Sequence, residues 1–305
     1  MRVFLTGASG YIGSVVAAEL IRGGHDVVGL ARSEQSAARV EAVGATPLRG
    51  TLDDTDLLAE AARAADGVIH TAFKLDAGLD TPEAISTDRR VIATFGEALS
   101  GSDKPLVVTS PTLLSARPVG RPRPLTEESR VSRLRAWLIK RSASEPDALR
   151  WARRGVRAVI VRLAPLVHGP GDTRGFIPTL VQSARAAGRS IYANAGRNRW
   201  PAVHNLDAAR LFRIALESAP AGSVVHGVGD GGIALHEIAT AVGRSLGLPV
   251  ASVPAREARE RIPRLARFLT LDHPVSSART QKLLGWKPNH PGLLDDIARG
   301  TYRDV

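Results

Sequence analysis

The chain has 305 residues, 44% of them hydrophobic, enough for one large core or two unequal lobes sharing an interface. It contains no cysteine, which excludes disulfides, thiolate metal sites and cysteine nucleophiles. The net charge of +11 is concentrated in segment 117–157, where twelve Arg or Lys face four carboxylates, yet aromatic residues make up only 4%. Stacking platforms for single strands are therefore scarce, and the basic run reads as a solvated face rather than a nucleic-acid surface.

The N-terminus runs directly into "VFLTGASG", and no later run approaches the roughly 18 unbroken apolar residues of a membrane span. A soluble cytoplasmic protein without nucleic-acid or membrane partners is expected. Short apolar runs near 2–6, 26–31, 46–49, 67–72, 105–110 and 156–162 read as strands, and segments of helical period near 11–22, 34–43, 54–65, 82–100 and 133–154 as helices. Alternation of this kind predicts βαβ units. The strands "GVIHTA", "PLVVTS" and "RAVIVRL" are almost continuously apolar, as strands covered on both faces must be. The fold class is α/β, a doubly wound parallel sheet.

After residue 163 the pattern loosens into a Gly/Pro loop, "APLVHGPGDTRG", then a helix near 176–188, a helix over about 205–218 and a strand "SVVHGVG" returning to the sheet. From about 230 onward, short helices broken by prolines are expected. The reading divides the chain into a nucleotide domain, 1–165 plus about 205–229, and a smaller, mostly helical lobe, 166–204 plus 230–305.

"LTGASGYIG" follows the first strand and opens the first helix. Gly7 permits the tight turn, Gly10 lets backbone approach a pyrophosphate, and Gly13 lets helix and strand pack closely, while the helix N-terminus supplies unpaired N–H groups. The second strand ends "GLARSEQ". An acidic residue there would favour NAD; Arg32 and Ser33 would instead hold a 2′-phosphate, so NADP is favoured over NAD.

With this loop the chain resembles the extended short-chain dehydrogenase/reductase family, also called the NAD-dependent epimerase/dehydratase family. Thr6, Gly7, Gly10 and Gly13 meet its TGxxGxxG pattern, and "GVIHTAF", "VVTSPT", "VRLAPLVHGPGD", "RWPAVHNLDAARLF" and "TQKLLGWKP" extend the match along the chain. The resemblance implies a Rossmann domain with cofactor contacts from Gly7, Ser9, Gly10, Tyr11, Ile12 and Gly13. It adds Leu52 after the third strand, Thr71, Ala72 and Phe73 at the end of the fourth, and Pro165 after the sixth.

The family works with a Tyr-x-x-x-Lys pair on the helix after the fifth strand, the tyrosine moving the proton and the lysine lowering its pKa. The three tyrosines here, Tyr11, Tyr192 and Tyr302, have no lysine four residues on. The best register sets "RSASE" against the pair, with Arg141 in place of the acid and Glu145 in place of the lysine. Arginine is a poor proton donor at neutral pH, so the match is to atypical members. The family's serine or threonine falls at Pro111 or Thr112, its adenine-reading aspartate is Thr51, and its asparagine on the preceding helix is Asp88.

Arg141 and Glu145 stand at the spacing of an intrahelical surface pair; alternatively Glu145 orients Arg141 toward a ribose, phosphate or substrate carboxylate. If a proton is needed, His168 in the Gly/Pro loop and His204 before the 205–218 helix are candidates, with loop bracing and helix capping as the plainer roles. Thr112 is a candidate to position a substrate oxygen. Arg199 and Trp200 could wall a pocket, with an interface anchor as the plainer role for Trp200, and His70 reads as a satisfied core residue. No metal-ligand spacing is present. These readings converge on an NADP(H)-dependent oxidoreductase acting on a small organic carbonyl or related substrate, with a homodimer compatible. A non-redox lyase, isomerase or cyclase and a catalytically silent NADP sensor are the rivals.

Overall fold

A computed structural model describes residues 1–74, 81–115, 123–129 and 144–305. Strands β1 (Arg2–Thr6), β2 (Asp26–Ala31), β3 (Thr46–Arg49), β4 (Gly67–His70), β5 (Pro105–Pro111) and β6 (Arg157–Leu163) alternate with helices α1 (Tyr11–Arg22), α2 (Glu34–Ala42), α3 (Thr55–Ala64), α4 (Pro82–Ala98) and α5 (Ser144–Leu149). There follow β7 (Leu166–His168), α6 (Phe176–Ala187), β8 (Ser190–Ala193), β9 (Arg199–His204), α7 (Asn205–Ser218), β10 (Val224–Gly227) and β11 (Asp230–Ala234). The chain closes with α8 (Leu235–Leu246), β12 (Val250–Val253), α9 (Ala255–Arg261), α10 (Ala278–Leu284) and α11 (Leu293–Ala298).

Seven strands form one parallel sheet in the order β10-β6-β5-β4-β1-β2-β3. The order reverses between β1 and β4, and that switch point is where a doubly wound sheet opens a crevice at its carboxyl edge. Alternate side chains of the central strands enter two cores. Val3, Leu5, Ile69, Val107 and Val161 pack with α1 and α7 residues, whereas Phe4, Val68, Leu106, Val108 and Ile160 pack with residues of α3, α4 and α5. Burial on both faces is the physical reason these strands are apolar almost throughout.

A third core, which includes Trp200, Ile233, Ile238, Phe268 and Ile297, lies within residues 166–305. Two small sheets border it: β9 pairs antiparallel with β11 and parallel with β7, and β12 pairs parallel with β8. The tail is thus less helical than its sequence suggests. β11, "DGGIA", has no alternating pattern, and its strand form depends on pairing with β9.

Two boundaries also differ from expectation. β4 ends at His70 because Thr71 turns back: its hydroxyl donates to the Thr6 carbonyl at 2.7 Å. Of the long helix expected over 133–154, the described part is α5 and a 3-10 turn, Arg150–Arg154, closed by Gly155 at φ 69°; 133–143 lie outside the described residues. Near the C-terminus Trp286 is fully buried, and its indole N–H donates to the Asp207 carbonyl at 3.0 Å, tying the segment after α10 to the first turn of α7. Trp286→Ala is expected to destabilise the protein by about 3–5 kcal/mol, read as a lowered urea midpoint.

Candidate active site

The glycine loop occupies the β1/β4 switch point. Gly7 has φ +78°, and a Cβ there would lie 2.6 Å from Thr71 Oγ1 and 2.8 Å from the Ala72 nitrogen. A Cβ on Gly13 would lie 2.0 Å from the Gly7 carbonyl oxygen, so α1 can enter the turn this closely only with glycine at both positions. Gly10 caps α1 without a side chain and is exposed. The first N–H groups of the 12-residue helix, those of Tyr11, Ile12 and Gly13, have no intrahelical acceptor. The result is a concave, side-chain-free surface of donors at the positive end of a helix, chemistry that suits a phosphate.

Beneath the loop lies a buried chain of Thr6, His70 and Asp88. His70 Nδ1 lies 2.6 Å from Thr6 Oγ1, and Nε2 lies 3.2 Å from Asp88 Oδ1. A carboxylate can only accept, so Nε2 carries the proton and Nδ1 accepts from Thr6. The order resembles a nucleophile triad, but Thr6 is wholly buried, and the chain fastens β1, β4 and α4 together. His70 is a satisfied core residue, as expected.

Of the expected cofactor contacts, Ser9, Ile12, Leu52, Thr71, Ala72, Phe73 and Pro165 are all half-buried, and Thr71 and Ala72 abut Gly7 of the loop. Tyr11 also lies there; its hydroxyl donates to the Gly169 carbonyl at 3.3 Å, and burial, then Asp172, push its pKa upward. Tyr302 is pushed up by burial too and accepts from the Gly169 N–H at 3.1 Å. Both are neutral phenols, Tyr11 bracing the 169–172 loop against α1 and Tyr302 bracing it against the segment after α11. Arg32 is exposed just past β2. Ser33 caps α2, its side chain accepting from the Ser36 N–H while Ser36 Oγ accepts from the Ser33 N–H.

Glu145 is not the surface residue that its spacing from Arg141 suggested; Arg141 lies outside the described residues. Glu145 is buried, and its carboxylate receives both Nε (2.9 Å) and Nη2 (2.7 Å) of Arg162 from β6. The remaining Arg162 nitrogen donates to the Ser129 carbonyl at 3.0 Å and approaches His226 Nε2 at 3.4 Å. Thr280 donates to Glu127 Oε1 through both its N–H and its hydroxyl, and the hydroxyl accepts from the His226 N–H. Glu145, set by the sequence reading in the register of the family lysine, thus anchors a buried polar network. No side chain of that network except Glu145 was singled out from the sequence, because Arg162, "VIVRL", reads as an ordinary strand residue until its neighbours are known.

Of the candidate histidines, His168 donates from Nδ1 to Asp296 Oδ2 at 2.8 Å and is buried, bracing the loop to α11. Its ring meets that of His204 edge-on at 5.3 Å. His204 caps α7, Nδ1 accepting from the Leu206 N–H at 3.2 Å, and it stacks on His290. Trp200 packs edge-on against Phe176 inside the third core, so it does not wall a pocket. Arg199 does line a cavity of about 390 Å³, together with Gly231, Gly232, Pro274 and Ser276, and is held bidentately by Asp272. Thr112, at the carboxyl edge of β5, is buried with its Oγ1 3.1 Å from His273 Nε2. No local pattern points to His273, which lies 161 residues away.

Three of these histidines are held below the ordinary imidazole value: His204 by burial and then by His168, His226 to about 4 by burial, and His273 to about 3 by burial and then by His226. A depressed folded value means that the unfolded chain binds protons first. Stability is therefore complete above the unfolded value of 6.5 and declines as the pH falls toward about 4. The melting temperature should hold steady from pH 8 to 7 and drop between pH 6.5 and 4.5; a flat profile would contradict this assignment. Glu145→Ala, which strands the Arg162 charge, should cost about 3–5 kcal/mol in denaturant unfolding.

No group of His, Cys, Asp or Glu able to hold a metal occurs among the described residues, and no described helix is long and apolar enough to cross a membrane. The model of the NAD dependent epimerase/dehydratase family matches residues 3–226. The chain belongs to that family. It is 46% identical over 304 residues to an uncharacterised protein of Schizosaccharomyces pombe, covering 99% of this chain and 100% of the relative. It is 28% identical over 281 residues to a 4-hydroxy-2-methyl-3-oxo-4-farnesyl-3,4-dihydroquinoline-1-oxide ketoreductase of Stigmatella aurantiaca, covering 85% of this chain and 78% of that one. Its fold matches that of a dTDP-glucose 4,6-dehydratase of Streptomyces venezuelae solved with NAD bound, with a TM-score of 0.79 at 22% identity over 100% of this chain and 97% of the other.

Proposed function

We propose that the protein is an NADP(H)-dependent oxidoreductase that reduces or oxidises a small organic carbonyl or related group without a Tyr-x-x-x-Lys pair. The observation that carries this reading is the glycine loop at the switch point. Gly7 and Gly13 allow a turn that a Cβ would block, and Gly10 leaves the N-terminus of α1 open. In this reading the loop N–H groups hold the diphosphate, Arg32 and the N-terminus of α2 hold the 2′-phosphate, and Leu52, Thr71, Ala72, Phe73 and Pro165 line the groove. Bound there, the cofactor would supply or accept a hydride. The ketoreductase similarity supports a carbonyl substrate. Residues 1–165 with about 205–229 would carry the dinucleotide, and 166–204 with 230–305 the substrate.

Neither Arg141 nor Glu145 transfers a proton in this reading, since arginine stays charged and Glu145 is committed to Arg162. The same commitment favours a second reading, in which the nucleotide is bound without hydride transfer, either in a lyase, isomerase or cyclase or in a silent sensor.

Mixing with the protein should enhance NADPH fluorescence, and Gly10→Glu should abolish the effect; an unchanged signal in that variant would remove the site. Arg32→Ala should weaken NADPH about tenfold, roughly 1.4 kcal/mol, while leaving NADH within about twofold; equal losses for both would return the preference to NAD. Turnover without change at 340 nm would favour the lyase, isomerase or cyclase, and NADPH binding without turnover of any carbonyl tested would favour the sensor.

A further inference from the structure

The segment 272–276 is stitched to several parts of the chain at once. His273 N–H donates to the Arg199 carbonyl, Val275 N–H to the Gly231 carbonyl, Leu125 N–H to the Pro274 carbonyl and Ser276 N–H to the Leu125 carbonyl. Asp272 grips the Arg199 guanidinium and its N–H. From this strap the His273 side chain reaches Thr112, the first residue beyond β5 at the carboxyl edge of the sheet. Its Nδ1 has no partner among the described residues, and both side chains are buried.

We propose that His273 is a positioning residue that donates its Nε2–H to Thr112 Oγ1, leaving the threonine proton turned away from the imidazole and able to hydrogen-bond a substrate oxygen. The substrate half of this inference rests on the oxidoreductase reading; the tautomer does not. His273 is kept neutral by burial and then by His226 of β10, which outweigh Asp272, already tied to Arg199, and the Thr112 backbone, both acting in the other direction. A neutral ring carries one proton. On Nδ1 it would be a buried donor without acceptor, which folded proteins avoid more strictly than a buried acceptor without donor. On Nε2 it meets Thr112. The neighbouring ring takes the opposite tautomer under its own constraints: His226 Nδ1 faces the Ser276 carbonyl at 2.8 Å and Nε2 faces Arg162, so the proton is on Nδ1.

The role this leaves for Thr112 is that of a fixed donor. A cofactor held at the glycine loop would supply hydride to the carbonyl carbon; the C=O π pair would move to oxygen, which would take one proton from solvent water and leave hydroxide to the buffer. Thr112 stabilises the growing negative charge by its hydrogen bond and keeps its own proton, since neutral His273 could replace that proton only by becoming an imidazolate.

The test begins with the ring nitrogens of His273, observed by ¹⁵N–¹H correlation in the full-length labelled protein and assigned with His273→Gln. A neutral ring protonated at Nε2 and unchanged from about pH 8 to 5 is expected, with its signals displaced in Thr112→Val. A proton on Nδ1, or an imidazolium in that range, overturns the proposal without any need for turnover. Kinetically, a panel of aldehydes and ketones is assayed with NADPH at 340 nm. Against any member that the wild type reduces, His273→Leu should lower kcat on the order of tenfold with KM changed less than about threefold. His273→Gln, whose side-chain N–H can donate in the same sense, should recover most of that loss, and equal losses in both variants would reject the role. A wild type that fails to bind NADPH defeats the oxidoreductase reading alone; the ring measurement still decides His273.

Discussion

A guanidinium cannot lie inside a protein without acceptors arranged around it, because an unpaired buried charge would cost several kcal/mol. Arg162 sits on β6, flanked in register by Ser110 of β5 and His226 of β10, and is 5% exposed, so its needs must be met locally. Glu145 brings α5 against the sheet, the 123–129 segment supplies a carbonyl, and His226 supplies a ring nitrogen. Through Glu127 and Thr280 the same requirement fixes α10, and through the His226–Ser276 bond it fixes the strap that carries His273. One charge in the sheet thereby positions much of the wall that faces the carboxyl edge of β5.

This arrangement gives a physical account of the departure from the family pattern. A lysine at 145 would place a second cation against Arg162, and the two would repel in a region with little water to screen them. Glutamate turns the same helical position into the partner that Arg162 requires. In the register set from the sequence, the helical turn at Glu145 would serve charge pairing with Arg162 where the family pattern has proton transfer.

The glycine loop is independent of that network. Its geometry follows from contacts within the first 72 residues, where Gly7, Gly13 and Thr71 approach more closely than any Cβ would permit. Nucleotide recognition and substrate chemistry can therefore change separately in this chain. The buried Thr6–His70–Asp88 chain shows the corresponding caution: residue types in catalytic order act structurally when the hydroxyl proton is already committed to the ring and nothing of the threonine reaches the surface.

The sequence by itself determined what depends on near neighbours. Strands β1 to β6, helices α1 to α4 and α7, the glycine loop and the lack of a Tyr-x-x-x-Lys pair were all legible, because hydrophobic period, caps and turns act over a few residues. The strand form of "DGGIA", the burial of Glu145, the capping role of His204 and the contact between Thr112 and His273 were decided only by tertiary structure. Each depends on a partner tens to hundreds of residues away, and the protonation of a buried ring depends on which acceptors surround it, something that no local pattern encodes.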